Sequence, residues 1–175
     1  MLKAAAIALV LVSAVVSVRA EVIDRVVAIV AGQVITKSDV DTAAALGIAD
    51  NLQQLIDRVL MLTEVRRVAP PDPTSSNIAA RVAKIRSRFS SDADLGRALS
   101  LGGIDQTVLQ LLAADDLRLG AYLDERFAAA SQPTDEEIRQ AGESARQRLA
   151  EEHRQALVSA WVAELRRRTE ITMIE

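Results

Sequence analysis

The chain has 175 residues, with 21 Lys and Arg against 24 Asp and Glu and no cysteine. That length gives one domain with a real core and excludes two of ordinary size, and a chain without cysteine must be stabilised by its core, since disulfides are excluded. Half the residues are hydrophobic but only 2% are aromatic, which suits close-packed helices better than a sheet sandwich, and the acidic excess argues against nucleic acid as a partner.

The first segment, MLKAAAIALVLVSAVVSVRA, has an early Lys, an apolar run from Ala4 to Val18 and the ending Val18-Arg19-Ala20. This is the pattern of a signal peptide cut after residue 20. The run is shorter than the roughly twenty residues of a spanning helix; a retained anchor is the alternative. Cleavage would remove Lys3 and Arg19, leaving 19 basic against 24 acidic residues, a net charge of about −5. One domain then covers 21–175, with a hairpin and helices in 21–132 and a returning helix and strand in 133–175.

Val26 to Val30 is a β-branched run, Ala31-Gly32-Gln33 supplies a turn and Val34-Ile35-Thr36 returns, the signature of a hairpin. Two strands alone are marginal. The other strand-like segment is Ile171 to Ile174, so the expectation is that this tail pairs with the hairpin and closes the domain. The fold class expected is therefore mainly α with a small antiparallel sheet made by the two ends of the chain.

Thr36 or Ser38 can cap the first helix. The second runs from about Asp50 to Val68, with Leu52, Leu55, Ile56, Val59 and Leu62 on one stripe, and PPDP at 70–73 breaks it. Thr74 can cap a third helix with Ile78, Val82, Ile85 and Phe89 on one face. Ser91 can cap a short fourth, ended by Gly102-Gly103. Asp105 caps the fifth, with Ile104 and Leu109 at staple positions and a stripe that includes Val108, Leu112, Leu119, Tyr122 and Leu123. Thr134 to Glu137 is a capping box, and the helix it opens can continue to Thr169 with Leu149, Leu157, Trp161 and Leu165 on its apolar side, weakened or interrupted at Gly142.

Catalytic chemistry is hard to find in this sequence. The one histidine, His153, sits between Glu152 and Arg154 and reads as solvated. The pairs Asp115-Asp116, Glu136-Glu137 and Glu151-Glu152 point about 100° apart around a helix, wrong for sharing a proton or a metal, and read as exposed charge. No G-x-S-x-G elbow or phosphate loop is present. Arg166-Arg167-Arg168 reads as the cationic end of a helix, complementing its dipole, with a patch for an anionic partner as the alternative. One feature exceeds a plain core: Met61, Val65 and Val68 form a second apolar line on the second helix, roughly opposite the first. Either the helix is covered on both faces, or this line meets a partner, where Met adapts to varied side chains. Met61, Val65 and Val68 are the polypeptide-contact candidates.

The order of elements resembles a known family. VIDRVVAIVAGQVITKSDVD is similar to the opening of SurA-type periplasmic chaperones, LQQLIDRVLMLTEVRRVAPPDP to their second helix and its proline break, and the run from IAARVAKIRSRF to GAYLDERF to the next three helices. SQPTDEEIR resembles the exit from their N-terminal domain. In that family a parvulin-type prolyl isomerase domain follows, sometimes two. Here RQRLAEEHRQALVSAWVAELRRRTEITMIE, which resembles the family's returning helix and strand, arrives after about a dozen residues, far below a domain's size.

The resemblance implies a periplasmic holdase core that binds unfolded outer-membrane proteins, favouring aromatic segments, without ATP, metal or other cofactor and without isomerase activity. The alternative is a non-catalytic interaction subunit with one dedicated partner or a second copy of itself, and a homodimer is compatible with either.

Overall fold

The computed structural model describes residues 24–174, so the leader and its cut after residue 20 lie outside the described residues. β1 (Val26–Val30) and β2 (Gln33–Thr36) form an antiparallel hairpin. Its turn is shorter than expected: Gln33 already belongs to the strand, and Ala31 and Gly32 both take positive φ, 52° and 79°. That mirror-image turn matches the twist of the strands it joins. β3 (Ile171–Met173) pairs antiparallel with β1, giving the order β2-β1-β3. The Ala31 N–H donates to the Glu170 carbonyl at 3.1 Å, so the C-terminal segment also holds the turn. The fold is mainly helical with a small three-stranded antiparallel sheet, and the two ends of the domain meet in that sheet.

Side-chain caps start six of the seven helices described. α1 (Lys37–Leu46) begins at Thr36, which exchanges capping bonds with Asp39; Ser38 instead donates its N–H to Asp24 at 3.2 Å. α2 (Leu52–Val68) starts two residues later than expected because the Asn51 side chain accepts from the Gln54 N–H. It stops at Ala69, left-handed at φ 49°, ahead of Pro70 and Pro71. α3 (Ser75–Arg86), α4 (Asp92–Leu101) and α5 (Gln106–Phe127) are capped by Thr74, Ser91 and Asp105. α6 (Asp135–Ala141) carries the Thr134–Glu137 capping box. Gly142, at φ 86°, ends it outright, and a single 3-10 turn (Glu143–Ala145) leads into α7 (Arg146–Arg168).

These elements enclose two apolar clusters. The first joins Ala28, Val30 and Ile35 of the sheet to Ile56, Leu60 and Val65 of α2, the C-terminal half of α5 and α7. It holds Tyr122, Phe127 and Trp161, with ring centroids 5.6 Å from Trp161 to Tyr122 and 6.0 Å to Phe127. The second joins Leu46 of α1, Val82 and Ile85 of α3, Leu95 of α4, and Leu109 and Ala113 at the start of α5. Here α1 and α4 approach closely: a Cβ on Gly102 would lie 2.5 Å from the Thr42 hydroxyl oxygen. At the start of α5 the buried residue is Leu109, fully enclosed, while Val108 is exposed; further along, Leu119 and Tyr122 are buried as expected.

Charged groups near the C-terminus make contacts beyond their own helix. Arg166 donates to Asp57 at 2.5 Å and to the Gln53 carbonyl at 3.1 Å, and Arg168 to Glu64 at 2.8 Å, so these two arginines fasten α7 to α2, while Arg167 pairs with Glu164 on α7 itself. His153 Nε2 lies 3.1 Å from Glu137 Oε1. A continuous helix would hold these residues about 24 Å apart, at 1.5 Å per residue; the break at Gly142 folds α6 back onto α7 and brings them together. The Thr134 N–H and hydroxyl, with His153 as a lesser neighbour, hold the Glu137 carboxyl below the usual range.

Candidate functional site

The seam between the two clusters is a cleft of about 300 Å³, and α2 forms one of its walls. Leu55, Val59 and Leu62 of α2 belong with the first cluster, while Leu46 and Leu112 across from them belong with the second. Gln33, Val34 and Ile35 place the β2 edge strand at its mouth, where Val34 is 50% exposed. The cleft exists because the other elements do not bury every face of α2: the sheet and α7 cover part of it, and α5 runs on from the first cluster to the second.

Charge bridges the seam. Arg58 projects from the apolar stripe of α2, is only 7% exposed, and donates Nη1 to Asp116 of α5 at 2.8 Å. The other Asp116 oxygen lies 2.5 Å from Arg81 Nε of α3. Asp115 accepts from Arg66 and from Arg118, both at 2.9 Å, and Arg118 reaches Asp72 at 2.7 Å. The Asp115-Asp116 pair is therefore not surface charge; its carboxylates diverge, as adjacent helical positions must, and each collects two arginines. Arg58 Nη2, also buried, has no hydrogen-bond partner among the described residues. A buried unpaired donor of this kind costs about 1–3 kcal/mol, more for a charged group.

A second groove, of about 530 Å³, runs between α2 and α7 and adjoins the seam cleft at Ile48 and Arg58, which line both. Met61, Val158 and Val162 line it, with Gln54, Asp57 and Arg166 among its polar lining residues. A third, of about 450 Å³, continues from the seam cleft past Leu62 and Arg66 to Pro70 and Pro71.

The three contact candidates on α2 are not brought together. Met61 lines the second groove, Val65 is 1% exposed inside the first cluster, and Val68 is 56% exposed at the helix end. Val65 has no surface to offer in this conformation. The groups at the seam that the sequence reading missed are Arg58 and Asp116, and both left a signal: Arg58 sits between Leu55 and Leu62 on one stripe, and Asp115-Asp116 between Leu112 and Leu119 on another. A charge inside an apolar stripe is costly unless paired.

Among the described residues no helix is long and apolar enough to cross a membrane, and no group of His, Cys, Asp or Glu is arranged to hold a metal ion. Compared with known protein families and with curated proteins, the chain matches none.

Proposed function

We propose that this protein is an ATP-independent periplasmic holdase that binds non-native polypeptide, outer-membrane proteins foremost, without prolyl isomerase activity. The observation that carries this reading is that α2 is flanked by two clefts, each with an apolar wall and a polar rim, in a domain whose ends are tied together in one sheet. Sites of this kind bind by shape and apolar contact and need no nucleotide. The Met61 side chain in the wider groove adapts to varied apolar partners, as a binder of many clients requires. The sequence resemblance to SurA-type chaperones supports the same reading and supplies the compartment and the client class.

The test is suppression of aggregation, using protein purified after expression of the full chain and checked for its N-terminal mass. An unfolded outer-membrane barrel and an unrelated unfolded soluble protein serve as clients. Protection of the barrel, alone or with the soluble protein, is expected; protection of neither at several-fold excess removes the holdase reading. A proline-isomerisation rate equal to the uncatalysed one is expected in parallel.

One observation favours a dedicated partner or a second copy as an alternative. Leu101, Val108 and Leu111 are all exposed around the α4–α5 junction, Leu101 at 69%, and clustered apolar exposure marks interaction surfaces. Sedimentation across a hundred-fold concentration range separates self-association from the monomeric holdase.

A further inference from the structure

We propose that β3 is an open pairing edge and that a second copy of this chain occupies it, the two β3 strands running antiparallel about a twofold axis at Thr172 and joining the two small sheets into one. This goes beyond the holdase reading and does not depend on it.

The register shows which main-chain groups β3 leaves free. The Ala31 N–H reaches the Glu170 carbonyl and the Ile174 N–H the Val27 carbonyl, both at 3.1 Å, with Thr172 opposite Ile29 between them. Hydrogen-bonded pairs alternate along an antiparallel ladder. Glu170, Thr172 and Ile174 therefore face β1, and the N–H and C=O of Ile171 and Met173 point away from it. Among the described residues no other hydrogen bond engages them. Thr172, Met173 and Ile174 are exposed, and the stretch from Ile171 to Ile174 has no bulge, proline or charge to close the edge. The opposite edge differs: α1 follows β2 directly, and the Thr36 N–H is taken by Asp39.

This edge fits its own copy. Pairing about Thr172 sets Ile171 of each copy opposite Met173 of the other, so the free groups of one strand meet the free groups of the other and every one of them is satisfied. Residues directly opposite share a face of the sheet. Met173, 50% exposed, then lies against Ile171 of the other copy, which packs on the first cluster, and the two cores meet across the axis. Thr172 meets its own counterpart, a favourable cross-strand pair. No like charges face each other, since Glu170 falls opposite Ile174. An extended client segment would find the same main-chain groups but no pocket for its side chains, because none of the grooves above is lined by a β3 residue. So short a pairing is weak. The dimer therefore forms at high concentration, and it uses no residue of the clefts beside α2.

The experiment begins with Thr172→Cys, in a chain that has no other cysteine. Residues at the axis form a non-hydrogen-bonded pair with Cα atoms about 4.5 Å apart, within reach of a disulfide, whereas the two copies of residue 174 would stand about 14 Å apart. Under mild oxidation Thr172→Cys is expected to give covalent dimer about ten-fold faster than Ile174→Cys. Met173→Pro removes an N–H that β1 does not use, at an edge position where proline is tolerated. Sedimentation up to about 1 mM is expected to show a reversible dimer for the wild type and association about ten-fold weaker for Met173→Pro, with little change in Tm. Equal cross-linking at the two positions, or a monomer at every concentration, overturns the inference and leaves the holdase reading standing. A dimer that survives Met173→Pro also overturns it and moves self-association to the α4–α5 patch. A monomer whose Met173→Pro variant loses client protection overturns the second copy in favour of a client strand on this edge. Preferential cross-linking at Thr172→Cys in a protein that protects no client upholds the pairing and removes the holdase reading.

Discussion

The two apolar clusters share α5 but are closed by different means. In the first, Trp161 locks Tyr122 and Phe127, and β3 seals one edge by pairing with β1. Large rings fill space with few rotatable bonds, and strand pairing ties together residues far apart in the chain. In the second, the buried residues are aliphatic, Leu46, Val82, Ile85, Leu95, Leu109 and Ala113, and beside them α1 and α4 come close where Thr42 faces Gly102. Its only aromatic, Phe89, lies at the periphery. What joins the two is a charged seam in place of continuous apolar packing, and that is where a ligand-sized cleft persists. A helical domain of this size keeps a cleft by leaving two cores incompletely merged.

The contrast can be broken from either side. Trp161→Ala removes the centre of the first cluster, and a loss of about 3 to 5 kcal/mol in unfolding free energy is expected from urea titration. A loss under about 1 kcal/mol would mean that the rings do not close this cluster.

Asp116→Asn attacks the seam. It leaves Arg58 and Arg81 without their shared counter-charge, and because the Asp116 side chain is part-exposed the expected cost is about 2 kcal/mol, below that of a fully buried pair. Hydrogen exchange should quicken in α3 and the first half of α5 while α7 keeps its protection. Uniform acceleration would show that the clusters unfold as one unit.

Gly102→Ala tests close packing in the second cluster. The new Cβ meets Thr42, for an expected cost of about 1 to 2 kcal/mol, partly recovered in the double variant with Thr42→Ala. Additive costs would place the strain elsewhere.

The smallest effect concerns α6. The Glu137 carboxyl is held low by hydrogen bonds from Thr134 and then by His153. Its contribution is present above the range where an unfolded glutamate titrates and is lost as pH falls through its lower folded value. The Tm difference between wild type and Glu137→Gln should therefore shrink from pH 7 to pH 3. A constant difference would mean that the capping contact does not depend on the charge.

Much of this architecture is legible in the sequence because it is local. Thr74, Ser91, Asp105 and Thr134 announce helix starts, since a side-chain oxygen satisfies N–H groups only a few residues away. Gly142 and Pro70-Pro71 announce breaks through their own backbone constraints. Even the pairing of the two ends follows from elimination, because one strand-like segment remained to complete the hairpin. The seam is different. Arg58 sits visibly inside an apolar stripe, yet its partners lie on α3 and α5, and nothing in the order of residues measures that distance.

The sequence by itself indicated most of the helices and their caps, the hairpin and the closing strand, since each depends on periodicity or on groups within one turn of each other, while the Asn51 cap and the full break at Gly142 came only with the structure. Tertiary structure alone decided that Val65 is core while Val68 is exposed, and that Asp115 and Asp116 are bridges. It also decided that His153 meets Glu137 and that a cleft lies where the two clusters fail to merge. The reason is that burial and charge pairing are properties of what crosses a face, and which helix crosses which face is settled only when all of them pack together.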